Sequence, residues 1–241
     1  MHPFFSSPRP LVFAHRGGSA LAPENSIAAF DNGLACGADG LELDVHLSRD
    51  GQVVVHHDRT LERMTTLRGP IAERSADELA RANVPTLADV LARYRDARVI
   101  VELKVDSQEL ALAAVDVVRR SDAVERVCLG SSELRALRAA RAAEPAMATS
   151  AAREEVRWAL YRSWMRWPAR CAAFHGYQIP EFAGTTRVVS ALFVEHAHEA
   201  GLGVQVWTVD TEEDARRLIG WGVDALITDR PDLIVPAAKQ G

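Results

Sequence analysis

The feature that most constrains this chain is an alternation of short apolar runs with longer segments of helical periodicity. Such alternation is typical of repeated βα units, whose strands pair in parallel because each helix returns the chain to the same edge of the sheet. The candidate strands are Leu11–Ala14, Gly40–His46, Val53–His56, Val99–Val105, Arg126–Gly130, Ala146–Ser150, Cys171–Gln178, Gly203–Val209 and Ala225–Thr228. We therefore predict about eight βα units.

One of these nine runs is predicted to lie outside the main series. The dipeptide Asp50-Gly51 between the second and third runs favours a tight turn, so the third strand is expected to form an accessory hairpin. A chain of 241 residues suits one (β/α)8 barrel, which takes about 250. We predict an α/β protein with a single TIM-barrel domain over residues 1–241 and a small insertion after the second strand, at about residues 50–85.

Amphipathic segments between the strands predict the helices. One begins after Asn25, and the others are expected at Thr86–Arg95, Ser107–Arg120, Ser132–Ala143, Arg153–Trp167, Ser190–Ala200 and Thr211–Gly220. The run Thr211-Glu212-Glu213-Asp214 places a capping hydroxyl and acids at a helix start, where unpaired N–H groups and the helix dipole favour them. No linker rich in Gly, Ser or Pro divides the chain, which supports one domain.

Composition argues against several classes of partner. The 28 cationic and 33 anionic side chains leave a net charge of -5, which argues against a protein that coats nucleic acid. Cys36, Cys128 and Cys171 form no Cys-x-x-Cys pair and indicate a reducing compartment. No stretch approaches the roughly 20 apolar residues of a membrane span, and residues 1–10 do not resemble a signal peptide. We expect a soluble, cytoplasmic protein without stable membrane insertion, and its oligomeric state stays open.

Two carboxylates share one face of the second strand. Side chains alternate along a strand, so Glu42 and Asp44 point one way while the flanking Leu and Val residues point the other. Like charges this close are unfavourable unless a cation lies between them, and a hard divalent ion with oxygen ligands meets that need. The alternative is a pair of surface acids on an edge strand. His46 lies on the same face and is predicted to be a rim residue, with contact to the metal or substrate as the alternative.

The fourth run repeats this geometry with a mixed pair. Glu102 and Lys104 share a face in a segment that is otherwise apolar. They could form a buried structural ion pair. Beside Glu42 and Asp44, they instead offer a third oxygen ligand and a compact cation for a phosphate oxygen.

Two histidines follow strand ends, where the chemistry of a barrel is carried. His15 and Arg16 follow the first strand, and His57 follows the third. Two imidazoles that titrate near neutrality can act as base and acid in one displacement, and a guanidinium offers a fork of donors to phosphate. A lone His is more often a surface residue or a satisfied core residue, and neither His is persuasive alone.

Two further features have two interpretations each, and a third has a structural one. Pro23-Glu24-Asn25-Ser26 precedes the first helix and is at least as well explained as a helix cap as a part of the site. Trp207 ends its strand and is either an apolar wall of the pocket or a core residue. Asp229 is expected to cap or brace the last βα loop.

Short motifs occur in a fixed order from near residue 11 to near residue 233. They are His15-Arg16-Gly17, Pro23-Glu24-Asn25-Ser26, Gly37-Ala38-Asp39-Gly40-Leu41-Glu42-Leu43-Asp44, Asp50-Gly51, His57-Asp58, Glu102-Leu103-Lys104, Trp207-Thr208-Val209-Asp210, Gly222-Val223-Asp224 and Thr228-Asp229-Arg230-Pro231. This ordered set resembles the glycerophosphodiester phosphodiesterase family. Ser26 stands where the family usually has Thr, and Asp210 where it often has Asn.

The resemblance implies a TIM-barrel hydrolase that converts glycerophosphodiesters, its small-molecule partners, to sn-glycerol 3-phosphate and an alcohol with Mg2+ or Ca2+. The residues it implies are metal ligands Glu42, Asp44 and Glu102, acid/base residues His15 and His57, and phosphate-binding Arg16 and Lys104. Enzymes of this family are thought to let the glycerol 2-hydroxyl attack first, giving a cyclic phosphate that water opens. The segment 174–186 matches no family motif, so the alcohol released stays open.

Other functions remain possible at this point. A lysophospholipase D acting at membranes is suggested by Arg153–Arg170, where aromatic residues mingle with five Arg. We favour instead an ordinary barrel helix with Trp158, Tyr161 and Met165 facing the core. A non-catalytic phosphate-binding barrel shares the fold, as does a phosphosugar isomerase or aldolase, although the last two need no set of three carboxylates.

Nearly all cationic side chains of this protein are arginines. It has 26 Arg and only two Lys, Lys104 and Lys239, and Lys239 lies in the C-terminal tail. The one internal Lys therefore falls two residues after Glu102, where a compact ammonium differs from a planar guanidinium.

Overall fold

The computed structural model describes residues 1–167 and 172–239 and confirms the TIM barrel. The strands are β1 (Leu11–Ala14), β2 (Gly40–Leu47), β3 (Val53–Val55), β4 (Arg98–Leu103), β5 (Val127–Gly130), β6 (Ala148–Thr149), β7 (Gly176–Pro180), β8 (Phe182–Ala183), β9 (Thr186–Arg187), β10 (Gly203–Trp207) and β11 (Ala225–Thr228). Eight of them pair in parallel in the order β6-β5-β4-β2-β1-β11-β10-β7. A parallel bridge between Ser150 and Gly176 joins the two ends, so the barrel is nearly closed.

The helices lie close to their predicted positions. They are α1 (Ile27–Ala35), α2 (Ala76–Ala80), α3 (Leu87–Arg93), α4 (Gln108–Arg120), α5 (Leu134–Ala143), α6 (Arg153–Trp164), α7 (Ala191–Glu199), α8 (Glu212–Gly220) and α9 (Pro231–Lys239). Thr211 caps α8 by accepting a hydrogen bond from the Asp214 N–H, as its motif predicts. The helices α2 and α9 were not predicted. The start of the predicted strand at Cys171 lies outside the described residues.

The accessory hairpin forms as predicted. β3 runs antiparallel to β2, with Val55 opposite Val45, and leaves the parallel series uninterrupted. The insertion that follows has a small apolar cluster of its own, formed by Val54, Leu61, Ile71, Leu79 and Val84. This cluster anchors the insertion beside β2, so His57 is held near the carboxyl end of that strand.

The barrel interior is apolar at its amino end. Phe13, Ile100 and Ile227 fill it, and Phe5 of the N-terminal segment closes it from below. A Cβ on Gly176 would lie 2.4 Å from the Phe5 ring, so glycine is required for this close approach. Because the amino end is filled by apolar side chains, the space inside the barrel that could hold a ligand lies at the carboxyl ends of the described strands.

The orientation predicted for α6 is wrong. Trp158, Tyr161 and Met165 do not face the core, and their exposed fractions are 68%, 56% and 59%. The helix has a second stripe at helical spacing, and its smaller members pack toward the barrel, with Ser163 2% exposed and Ala159 partly buried against the core. Small residues permit closer approach to the sheet, a preference that periodicity alone does not reveal.

Two other expectations concern the cysteines and membrane-spanning helices. Cys36 is partly exposed and Cys128 is buried, and both are free thiols, whereas Cys171 lies outside the described residues. Within residues 1–167 and 172–239, no helix has the length and apolar character to cross a bilayer.

Candidate active site

A cavity of about 520 Å³ opens at the carboxyl ends of the barrel strands. Its lining includes every residue that sequence analysis selected for the site, namely His15, Arg16, Glu42, Asp44, His57, Glu102, Lys104 and Trp207. These side chains come from β2, β4, β10 and the segments after β1, β3 and β4. The topology therefore gathers residues that are spread over most of the chain.

The three carboxylates lie on neighbouring strands in the middle of the sheet. Asp44 of β2 is in register with Glu102 of β4, and Glu42 projects from β2 into the same cavity. Glu42 is 6% exposed and Asp44 is 2% exposed. The alternative of surface acids on an edge strand is therefore wrong, because β2 lies between β1 and β4 and both carboxylates are buried.

Burial and crowding disfavour the charged form of two of these groups. Burial, together with the charge of Asp44, raises the pKa of Glu42 to about 7. Burial raises the pKa of Glu102 to about 8; Lys104 opposes that rise, whereas Asp44 and Glu42 add to it. The protein alone thus supplies less positive charge than this cluster of carboxylates requires.

The partners of Asp44 hold it rigidly. Asn25 Nδ2 donates to Asp44 Oδ2 at 2.9 Å, and the Asp44 backbone N–H donates to Asn25 Oδ1 at 3.2 Å. Lys104 Nζ lies 3.3 Å from Asp44 Oδ1. Ser26, which follows Asn25 in sequence, caps α1 by accepting a hydrogen bond from the Ala29 N–H. The segment before α1 therefore acts both as a helix cap and as a support for the site.

The donor set fits a divalent metal in its chemistry. Glu42, Asp44 and Glu102 offer the carboxylate oxygens that Mg2+ and Ca2+ prefer, and the raised pKa values of Glu42 and Glu102 indicate a shortage of cationic charge. In the described part of the chain, no three His, Cys, Asp or Glu side chains converge closely enough to enclose an ion. The oxygens of Asp44 are instead engaged by Lys104 and Asn25.

Arg16 occupies an unusual backbone conformation at the end of β1. Its φ of 51° is in the left-handed region, which costs a non-glycine residue about 1–3 kcal/mol where the surroundings enforce it. The turn lets the Arg16 N–H donate to Glu42 Oε2 at 2.9 Å. The guanidinium is anchored by Glu24 at 3.1 Å and lies 3.4 Å from Asp44 Oδ2, where its Nε has no hydrogen-bond partner. A buried donor is thus available beside the carboxylates.

His15 is paired with a carboxylate from the opposite end of the chain. Its Nδ1 lies 2.7 Å from Asp229 Oδ1, and its Nε2 lies 3.8 Å from Glu42 Oε2. Burial alone would lower the pKa of His15, but the charge of Glu42 and the hydrogen bond to Asp229 outweigh burial and raise it. Asp229 also accepts from Ser19 Oγ at 2.5 Å. The prediction that Asp229 braces the last βα loop is therefore only part of its role, because Asp229 also orients His15.

His57 has a parallel arrangement. Its Nδ1 lies 2.7 Å from Asp58 Oδ1, and Arg63 Nε donates to Asp58 Oδ2 at 2.6 Å. The Arg63 hydrogen bond is the main cause that lowers the pKa of Asp58 well below its usual range. Arg63 also donates to Glu24, which links this pair to Arg16. His46 is buried rather than at the rim, and its Nε2 contacts the His57 carbonyl at 3.1 Å.

The segment that matched no motif forms the far wall of the cavity. Gln178, Ile179 and Pro180 of β7 and Ala183 of the β8–β9 hairpin line it, opposite the carboxylates of β2 and β4. Trp207 ends β10 on the same cavity and is 43% exposed, so it is a wall residue rather than a core residue. A leaving group bound beside the carboxylates would meet these mainly apolar surfaces.

Sequence reasoning did not select Asn25, Arg63 or Asp229 for the site. Asn25 and Asp229 lie inside recognisable motifs, but their types and positions equally suit a helix cap and a loop brace. Arg63 lies in the insertion and carries no local signal. Asn25 and Asp229 are revealed by their contacts with cavity side chains, and Arg63 is revealed by its contact with Asp58, the partner of His57.

Residues 15–233 match the model of the glycerophosphoryl diester phosphodiesterase family. This chain belongs to that family. A glycerophosphodiester phosphodiesterase of Caldanaerobacter subterraneus is 30% identical over 250 residues, which cover 96% of this chain and 98% of the relative. The chain is therefore an enzyme, a phosphodiester hydrolase, rather than a non-catalytic barrel, an isomerase or an aldolase.

Solved structures of the family have the same barrel. The glycerophosphodiester phosphodiesterase from Agrobacterium tumefaciens is 27% identical with a TM-score of 0.76, covering 94% of this chain and 99% of that one. A phosphodiesterase from Oleispira antarctica, solved in complex with its product sn-glycerol-3-phosphate, is also 27% identical with a TM-score of 0.76. That comparison covers 96% of this chain and 97% of the neighbour.

Asp229→Asn is expected to lower kcat/KM by roughly 10- to 100-fold, because the amide no longer holds the Nδ1 proton and ring orientation of His15. Kinetics on the purified variant, with circular dichroism to verify folding, check this result. The matched control is Asp232→Asn. Asp232 lies three residues after Asp229 and pairs with Arg230 instead of a histidine, so its loss should leave kcat/KM near wild type. Equal activities of the two variants would remove Asp229 from the site.

Proposed function

We propose that this enzyme hydrolyses glycerophosphodiesters to sn-glycerol 3-phosphate and an alcohol with a divalent metal, Mg2+ or Ca2+. His15 and His57 are the acid/base pair, Arg16 and Lys104 bind the phosphate, and Trp207 forms an apolar wall. The metal ligands are Glu42, Asp44 and Glu102. The bound product of the Oleispira antarctica neighbour supports the substrate class.

The observation that carries this proposal is the convergence of two histidine–carboxylate pairs on one cavity that also holds buried carboxylates and two cations. In both pairs Nδ1 faces the carboxylate, so Nε2 is the nitrogen available to a ligand. Imidazoles with one nitrogen held by a carboxylate and the other available are suited to proton transfer. The cations supply the charge that a phosphodiester requires.

The proposed reaction exchanges one phosphorus–oxygen bond for another. An attacking hydroxyl, of the glycerol or of water, bonds to phosphorus as the bond to the leaving alcohol breaks. One histidine takes the proton of the attacking hydroxyl, and the other gives a proton to the leaving oxygen. Arg16 and Lys104 hold the non-bridging oxygens in place. If the glycerol hydroxyl attacks, the first product is a cyclic phosphate, and water then bonds to phosphorus as the ring phosphorus–oxygen bond breaks. Either route consumes one water and ends in a phosphomonoester and an alcohol.

A bound divalent ion would polarise the phosphoryl oxygen and help to orient the glycerol hydroxyl. Glu42, Asp44 and Glu102 are the side chains to hold it, and Asn25 keeps Asp44 in position. Lys104 Nζ lies 3.3 Å from Asp44 Oδ1 and lines the same cavity, where it would meet a phosphate oxygen.

A substrate panel tests the proposed function. The chelator-treated enzyme is incubated with glycerophosphocholine, glycerophosphoethanolamine and glycerophosphoglycerol, with and without added Mg2+ or Ca2+, and glycerol 3-phosphate is measured. We expect turnover of at least one diester that is lost on chelation and restored by one of the ions. Absence of glycerol 3-phosphate from every mixture would overturn the substrate class, and full turnover after chelation would overturn the metal.

Lys104→Arg is expected to lower kcat by about 10²-fold while the protein remains folded. The planar guanidinium cannot occupy the position of a compact ammonium between Asp44 and a phosphate oxygen. The chain contains its own control, because Lys239→Arg changes its only other lysine, outside the cavity. Near-wild-type turnover of Lys104→Arg would show that either cation is sufficient at this position and would contradict the proposed requirement for an ammonium.

A further inference from the structure

The exposed side of α6 and the turn after it form an unusual surface, which we call the aromatic face. Its members share a high exposed fraction: Trp158 68%, Tyr161 56%, Trp164 57%, Met165 59% and Trp167 54%. Neighbouring rings contact one another, with centroids 6.4 Å apart for Trp158 and Tyr161 and 5.8 Å apart for Tyr161 and Trp164. A contiguous exposed patch of large apolar side chains marks an interaction site.

Cations are interleaved with the aromatic face. Arg157 and Arg166 are exposed, and neither forms an ion pair with an acid among residues 1–167 and 172–239. Arg157 lies on the exposed side, directly beside Trp158 in sequence. Glu154 is the one acid on this side, since Glu155 is engaged by Arg141. The surface is thus locally cationic in a protein whose net charge is -5.

We propose that the aromatic face docks on an anionic lipid bilayer. Indole and phenol rings favour the boundary between headgroups and acyl chains because one edge is apolar and the other is polar. Guanidinium groups pair with lipid phosphates, and unpaired arginines are free to do so. A helix with large aromatic side chains and Arg on one side lies in the plane of the interface rather than across the bilayer.

The position of α6 connects this surface to the catalytic cavity. Arg153 and Val156 of its first turns line the cavity, while the aromatic face continues along the opposite side of the same helix. The inner side is fixed to the barrel by Ala159 and Ser163. Docking through the aromatic face would therefore leave the cavity mouth uncovered. A cavity of about 400 Å³ between α6 and α7 borders Trp158 and Trp167. Tyr161, Trp164 and Met165 lie outside that cavity and project from the helix, which suits a flat surface.

Vesicle co-sedimentation of the full chain tests this inference without an activity measurement, so it is independent of the proposed function. The vesicles are phosphatidylcholine alone or phosphatidylcholine mixed with phosphatidylglycerol, at low and at high salt. We expect binding to the mixed vesicles that weakens as salt shortens the range of the charges. Arg157→Glu should weaken binding by about fivefold or more, since each arginine near the surface contributes this much.

The aromatic contribution is tested with Trp158→Ser combined with Trp164→Ser, which should weaken vesicle binding by about tenfold or more. The matched control is Leu112→Ser on α4, which removes another exposed apolar side chain (48% exposed) and should bind like wild type. Circular dichroism verifies that each variant is folded. These substitutions lie outside the catalytic machinery.

Three outcomes would overturn the inference. The first is absence of binding to the mixed vesicles, and the second is equal binding to both vesicle types at every salt concentration. The third is a dimer in light scattering that the tryptophan substitutions dissociate without lipid, because the aromatic face would then contact a second copy of the chain.

Discussion

Glu42→Gln is expected to reduce kcat/KM for glycerophosphodiesters by about 10³-fold, while the protein remains folded. The amide keeps the shape of the carboxylate, so packing on β2 is preserved. It removes one of three anionic oxygen donors and cannot replace the charge that attracts a divalent ion. Glu42 is buried beside Asp44, so removal of one like charge should leave the metal-free protein as stable as wild type or more stable.

Thermal unfolding separates a metal ligand from a structural residue in this variant. A ligand that binds only the folded state raises the melting temperature. Addition of Mg2+ or Ca2+ to the chelator-treated wild type should raise its melting temperature, and the same addition to Glu42→Gln should raise it far less. Wild-type turnover by Glu42→Gln, or the same melting shift in both proteins, would contradict the assignment of Glu42.

His15→Gln and His57→Gln are each expected to lower kcat/KM by about 10²- to 10⁴-fold, the usual contribution of general acid/base catalysis. The expected cause is loss of proton transfer rather than of substrate binding, so kcat should fall more than KM rises. His198→Gln is the matched control. His198 also pairs with a carboxylate, Asp224 at 2.9 Å, but it does not line the cavity and should be dispensable for turnover.

A second substrate distinguishes the roles of the two histidines. A diester with a nitrophenol leaving group needs no proton on its departing oxygen, because nitrophenolate is already stable. The variant that lacks the acid should therefore recover most of its loss with this substrate, and the variant that lacks the base should not. If both recover equally, or if neither does, the division into one acid and one base is wrong.

The strand pattern predicted the polar face of β2 well because period-two alternation is a local property. Glu42 and Asp44 point into one cavity as alternation requires, and the hydrophobic run around Glu102 correctly indicated a buried strand. The same kind of argument failed for α6. Two stripes at helical spacing compete there, and the stripe with Trp158 and Tyr161 is exposed because the smaller side chains pack against the sheet.

The supports of the site could not be predicted from local pattern. Asp229 lies 214 positions from His15, and Arg63 lies 39 positions from Glu24. Neither pairing follows from periodicity or spacing, since the distance between such residues depends on how the barrel closes and where the insertion folds back. Their residue types are also common in loops and caps, so they carry no distinctive signal.

Local sequence patterns were sufficient to predict the alternation of strands and helices, the ends of the strands where the motifs lie, and the residue types that face the cavity. Each of these depends on side-chain alternation, helix periodicity or turn preference within a few residues. Closure of the barrel determined the rest: the register of Asp44 with Glu102, the pairing of Asp229 with His15, and the side of α6 that is exposed. These depend on contacts between residues far apart in the chain, whose energies arise only when the whole barrel is packed.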